Sequence, residues 1–121
     1  MIYIPMQVKP QITYGEVLGK LIEHRRKQQG LLQGRFADAL GITQSGYSRL
    51  EKGQSAMSVV QLHAVATQLG CAPAHMLAET DRYAAQLRAR GAEIVADRRN
   101  ASAAGLLIAL GILVALLASK K

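Results

Sequence analysis

The sequence predicts an all-α protein, and three observations carry that prediction. Apolar residues between Val17 and Leu77 recur every three to four positions, so that each run supplies one face of a helix. The runs are punctuated by helix signals: a T-x-x-E capping box at Thr13 and Glu16, Ser58 ahead of a later run, and Gly41, Gly53 and Gly70 at the ends. The chain then closes on twenty consecutive uncharged residues, NASAAGLLIALGILVALLAS, between Arg99 and Lys120.

Residues 1–12 read as an N-terminal arm. MIYIPMQVKP is apolar but broken by Pro5 and Pro10, and it lacks the basic start and long apolar core of a signal peptide; a partly disordered leader is expected, ahead of the alternative that Ile2 and Ile4 add a strand to a partner. A compact domain follows over 13–78. Its first helix starts at the Thr13/Glu16 box, with Ile12 and Val17 placed as a hydrophobic staple, and carries Val17, Leu18, Leu21 and Ile22 inward. His24-Arg25-Arg26-Lys27 lies near its end, where the helix dipole favours cations. In the second helix Phe36, Ala37 and Leu40 share a face and Gly41 stops it; Thr43 caps a third, whose inward residues are Tyr47 and Leu50. Ser58 starts a fourth with Leu62, Val65, Ala66 and Leu69 inside, and Pro73 suits the first turn of a fifth holding Met76 and Leu77.

The third helix leaves Gln44, Ser45, Ser48, Arg49 and Lys52 outward, with no acidic residue among them. Gln pairs bidentately with adenine, Arg with guanine or phosphate, and Ser adapts to either, so this face has the chemistry of a DNA groove reader. An ordinary helical hairpin with a polar face has the same spacing. The pattern also resembles a known family. Gln33, Ala37, Gly41, Ile42, Gln44, Ser45, Ser48, Arg49, Leu50, Glu51 and Gly53 stand where phage-repressor-like (Xre-type) helix-turn-helix proteins carry Q, A, G, I, then QSxxSRxExG. The resemblance spans roughly Val17 to Leu77 and implies a five-helix, lambda-repressor-like bundle with Gln44 to Lys52 as recognition helix. It further implies base contacts for Gln44, Ser45 and Arg49, phosphate contacts for Gln33, Thr43 and Lys52, and an internal salt bridge between Arg26 and Glu51. Gly46 and Leu32 depart from the pattern, replacing a polar contact residue and the usual Ser or Thr cap.

Residues 79–100 turn polar and Arg-rich and are expected as a basic linker helix; Leu77, Ala84, Leu87 and Ile94 sit near heptad spacing, which admits a short dimerising seam. The uncharged stretch is long enough, at about 30 Å as a helix, for a bilayer core. Residues 101–119 are therefore expected to cross a membrane, with 120–121 as a basic tail. Arg88, Arg90, Arg98 and Arg99 before that segment outnumber Lys120 and Lys121 after it, so the N-terminal domain is placed in the cytoplasm of a bacterium, at its inner membrane. Gly105 with Ala109, and Gly111 with Ala115, are small-xxx-small pairs suited to helix pairing.

The formal net charge of +7 divides as +3 over residues 1–80 and +4 over 81–121, which suits a polyanion. The single cysteine, Cys71, excludes an internal disulfide, and few aromatic residues with no Trp argue against a single-strand stacking platform. His63, Cys71 and His75 lack a paired metal motif, so packing and surface roles outweigh ligation and no cofactor is expected. No nucleophile-base-orienter set stands out, and the chain reads as a binding protein rather than an enzyme. The expectation is a membrane-tethered regulator that binds double-stranded DNA as a homodimer, with the lipid bilayer engaged through 101–119. Two other readings share these features: a membrane-anchored interaction module similar to RodZ-type cytoskeleton anchors, and an antitoxin-like or phage repressor with an apolar partner-binding tail.

Overall fold

The computed structural model describes residues 8–119, so the expected leader with Ile2 and Ile4, and the basic tail at 120–121, lie outside the described residues. The element order is β1 (Gln11–Thr13), α1 (Tyr14–Gln28), α2 (Gln33–Leu40), α3 (Gln44–Glu51), α4 (Val59–Leu69), α5 (Pro73–Ala89), β2 (Glu93–Val95), a 3-10 turn (Arg98–Asn100) and α6 (Ala103–Ser119). Local chemistry sets the helix starts. At α1 the Thr13 hydroxyl accepts from the Glu16 N–H while the Glu16 carboxylate accepts from the Thr13 N–H, and at α4 Ser58 and Gln61 make the same reciprocal box. Gly41 closes α2 with φ of 69°, a left-handed cap that turns the chain sharply into α3.

The core joins α1 to the other helices through Val17, Ile22, Phe36, Tyr47, Val65 and Met76 among others. One contact fixes the position of α3. A Cβ at Gly19 would lie 2.0 Å from the Glu51 carbonyl oxygen, so α1 and the end of α3 approach at a distance that only glycine admits.

The C-terminal third departs from expectation. α5 runs to Ala89 because Tyr83, Ala84 and Leu87 are buried in the same core, so 79–100 is not one linker helix and Ala84 and Leu87 form no intermolecular seam. Beyond it, Glu93–Val95 pairs in parallel with Gln11–Thr13, Ile12 opposite Ile94, which adds a small sheet to the helical body. Arg98 then reaches Glu16 with Nε–Oε2 at 3.1 Å and Nη2–Oε1 at 2.6 Å, and its Nη2 also donates to the Gln11 carbonyl. An arginine counted as a membrane-flanking charge is thus a strut to α1.

The expected membrane crossing over 101–119 is not supported. α6 has seventeen residues, about 26 Å at 1.5 Å per residue, and it lies against β1, α1 and α5 with Gly105, Ala109, Leu113 and Leu117 buried. Among the described residues no helix is long and apolar enough to cross a membrane. Gly105 and Ala109, proposed as an intermolecular small-residue pair, are taken up inside the chain: a Cβ at Gly105 would sit 2.5 Å from the Lys9 carbonyl oxygen.

Candidate nucleic-acid interface

Helix α3 is oriented by one buried carboxylate. Glu51 accepts from Arg26 Nε at 3.0 Å and Nη2 at 2.9 Å, from Gln33 Nε2 at 3.1 Å and from the Tyr47 hydroxyl at 2.7 Å. The donors come from α1, α2 and α3, so a single group sets the angle of α3 against both neighbours. Both members of the Arg26–Glu51 pair are buried, and the bidentate geometry with its extra donors meets the condition under which a buried ion pair offsets its desolvation. The hydrogen bond to Glu51 raises the Arg26 pKa further, and burial first, then the Glu51 hydrogen bond, pushes the Tyr47 hydroxyl well above its usual range. The Tyr47 ring also stacks on Phe36 of α2, with centroids 5.5 Å apart and planes at 25°.

With Tyr47, Leu50 and Glu51 turned inward, Gln44, Ser45, Arg49 and Lys52 are exposed along the outer face, and Ser48 is half-buried. Among the described residues Arg49 and Lys52 take part in no ion pair, which leaves two cations and an amide on a face without a carboxylate. Thr43 sits at the N-cap, its hydroxyl accepting from the Gly46 N–H at 3.1 Å. A Cβ at Gly46 would lie 3.1 Å from that same capping oxygen, a tight contact but one that Glu16 and Gln61 show to be compatible with a cap at the equivalent position of α1 and α4.

Gln33 is half-buried and spends one amide N–H on Glu51, a structural duty that the sequence reading did not assign. Tyr47, read as a core residue, is also a hydrogen-bond donor to the same carboxylate. Gln33 lies eighteen positions from Glu51, beyond any local pattern, whereas Tyr47 is four positions away on the same helix. At the start of α2 the sequence reading noted only the missing Ser or Thr cap. Leu32 at its N-cap supplies no side-chain hydrogen bond and is exposed, and a shallow groove there is bordered by Gln33, Gly34, Arg35 and Gln44. Uncapped first-turn amides beside an exposed arginine favour an anion.

The basic run at the end of α1 has separate fates. Arg26 is buried in the Glu51 cluster, whereas Arg25 binds Glu79 on α5 and lies 3.0 Å from His75 Nε2. Arg25 is therefore an interhelical tie. His75 leans on that pair, and burial pushes the Cys71 thiol up.

This arrangement of two helices across a glycine turn, the second outward and polar, defines the class. A family model described as helix-turn-helix matches residues 22–75. Among solved structures it is similar to the clp gene regulator ClgR from Corynebacterium glutamicum. One such structure has 27% identity and a TM-score of 0.59, covering 64% of this chain and 82% of that one. A second, also of ClgR from C. glutamicum, has 28% identity and a TM-score of 0.52, with 57% and 90% covered. No curated protein sequence matches this one.

Proposed function

We propose that this chain is a sequence-specific, double-stranded DNA-binding transcriptional regulator without enzymatic activity. The observation that carries the reading is the outer face of α3: Gln44, Ser45 and Arg49 exposed on a helix whose inner face is locked to α1 and α2. In this reading Gln44, Ser45 and Arg49 meet base edges in the major groove, and Lys52, Thr43 and the free N–H of Gln33 meet phosphates with the first turn of α2 and Arg35. The likeness to a gene regulator supports it. Two copies on a palindromic site would set their recognition helices in successive major grooves about 34 Å apart. Protein docking by the same helix is disfavoured, because its aromatic and aliphatic residues, Tyr47 and Leu50, are buried and no apolar anchor faces outward.

The test is selection from random duplexes with the full chain, beside a Gln44→Ala/Arg49→Ala double variant whose fold is checked by circular dichroism. An enriched site for the parent, absent for the folded variant, is expected. Equal enrichment in both removes the assigned base-reading residues. Lys52→Ala should instead weaken binding to every sequence and flatten the logarithmic salt slope by about 1.

A further inference from the structure

A cleft of about 300 Å³ opens where the C-terminal brace meets the end of α3. Small-molecule sites begin at roughly that size and combine apolar walls with a few polar groups. Here the apolar wall is the flank of α6, Leu106 and Leu110, both half-buried against the core. The polar wall comes from α1, the end of α3 and the turn beyond it.

The charges of the cleft cancel except at one point. Glu16 is bound by Arg98, Glu23 by Lys20 and Lys27, and Glu51 by Arg26. The exposed side chains of Lys52 and Gln54 have no ion pair and no hydrogen bond among the described residues. The cleft therefore offers one uncompensated ammonium and one amide donor alongside an apolar wall, while its carboxylates are already neutralised. A single unpaired cation matches a monoanion; a phosphate ester dianion would find no second one. We propose that the cleft binds a small free carboxylate with an apolar body, its carboxylate on Lys52 and Gln54 and its body against Leu106 and Leu110.

Occupancy bears on DNA contact in two ways. Lys52 meets a phosphate in the reading given above, so the ligand carboxylate and the duplex compete for it. The cleft also lies at a tight joint. A Cβ at Gly53 would stand 2.6 Å from Glu16 Cγ and 2.8 Å from Glu16 Cα, so the turn after α3 rests on the same residue that Arg98 holds. The ligand is accordingly an effector that loosens DNA. That step rests on the DNA-reading function; occupancy of the cleft does not.

NMR titration of the labelled full chain without DNA tests the site, using hexanoate, octanoate and phenylacetate, each beside its uncharged amide. The carboxylates should bind about two- to fivefold more tightly than the amides, the range that an exposed ion pair supplies. They should shift the amides of Lys52, Gln54, Leu106 and Leu110. In Lys52→Met, which keeps the stem without the charge, acid and amide should bind alike. Leu110→Gln, checked as folded by circular dichroism, should weaken both. Equal affinity for acid and amide in the parent overturns carboxylate recognition. No saturable binding of any carboxylate at millimolar concentration, or shifts confined to Leu107 and Val114 on the exposed side of α6, overturns the site.

The effector step is read on the selected duplex, with sodium chloride added to the reference to match ionic strength. Hexanoate should weaken DNA binding by the parent but not by Lys52→Met, and the duplex should weaken hexanoate binding by the same factor as in the parent. Hexanoate seated in the cleft with DNA affinity unchanged overturns the effector role. A chain that binds hexanoate there and selects no duplex confirms the cleft and removes the regulator reading instead.

Discussion

Glu51 holds three helices through four hydrogen bonds, and its partner Arg26 is as deeply buried. Glu51→Gln keeps the shape but leaves the guanidinium buried without a counter-charge, for which a loss of about 3–5 kcal/mol is expected in urea unfolding. The double variant Arg26→Met/Glu51→Leu should recover much of that loss, because no uncompensated charge remains; a double variant no better than the single would mean that the hydrogen bonds, not the charge, dominate. Two tyrosines add a pH dependence. Burial, then the hydrogen bond to Asp81 at 2.6 Å, pushes Tyr14 up to about 12, and Tyr47 is also raised. In the unfolded chain both titrate near 10. The folded state therefore holds protons that the unfolded state has released, so this stability is complete below about pH 10 and is lost as pH rises through the folded values. Urea midpoints should fall more steeply above about pH 10 for the parent than for Tyr14→Phe/Tyr47→Phe; parallel curves would contradict the shifts.

The pose of α3 depends as much on backbone proximity as on side chains. Gly19→Ala places a methyl 2.0 Å from the Glu51 carbonyl oxygen, and since neither backbone can yield without moving a helix, a loss of about 1–3 kcal/mol or more is expected. Gly34→Ala, with nothing within 4 Å, is the control and should be neutral or stabilising by up to about 1 kcal/mol. Calorimetric melting of both variants decides between them. Helix starts and stops were legible in the sequence because they are local: Thr13 with Glu16, Ser58, and Gly41 each act within a few residues. The outer face of α3 was legible for the same reason, since Tyr47 and Leu50 fix the inward stripe. The demand on Gly19 was not, because a mid-helix glycine says nothing about a carbonyl more than thirty positions away. Nor was the parallel pairing of Ile12 with Ile94, which no short-range pattern encodes. Hydropathy alone does not place α6, because an apolar helix with one buried and one exposed face has the same composition as one wrapped in lipid.

At the scale of the whole molecule, residues beyond α5 return to the chain's beginning and brace it. β2 pairs with β1, Arg98 binds the Glu16 that caps α1, and α6 lies over the same strand. Cutting the chain at 78, the expected domain end, would remove Tyr83 and Leu87 from the core as well as this brace, so that fragment should melt well below the full chain. The brace is tested most directly at its tightest point. Gly105→Leu drives a side chain into the Lys9 carbonyl, 2.5 Å from where the Cβ would stand, and must lift the start of α6 from β1. Hydrogen exchange should then show lost protection in α6 and β1, and faster exchange in the first turn of α1, whose cap Thr13 is the last residue of β1. Amides of α2 and α3 should change less, because their anchors are the Phe36–Tyr47 stack and the Glu51 cluster rather than β1 or α6. Unchanged protection in α6 would show that the segment tolerates the added side chain by moving on its own, without straining the strand beneath it.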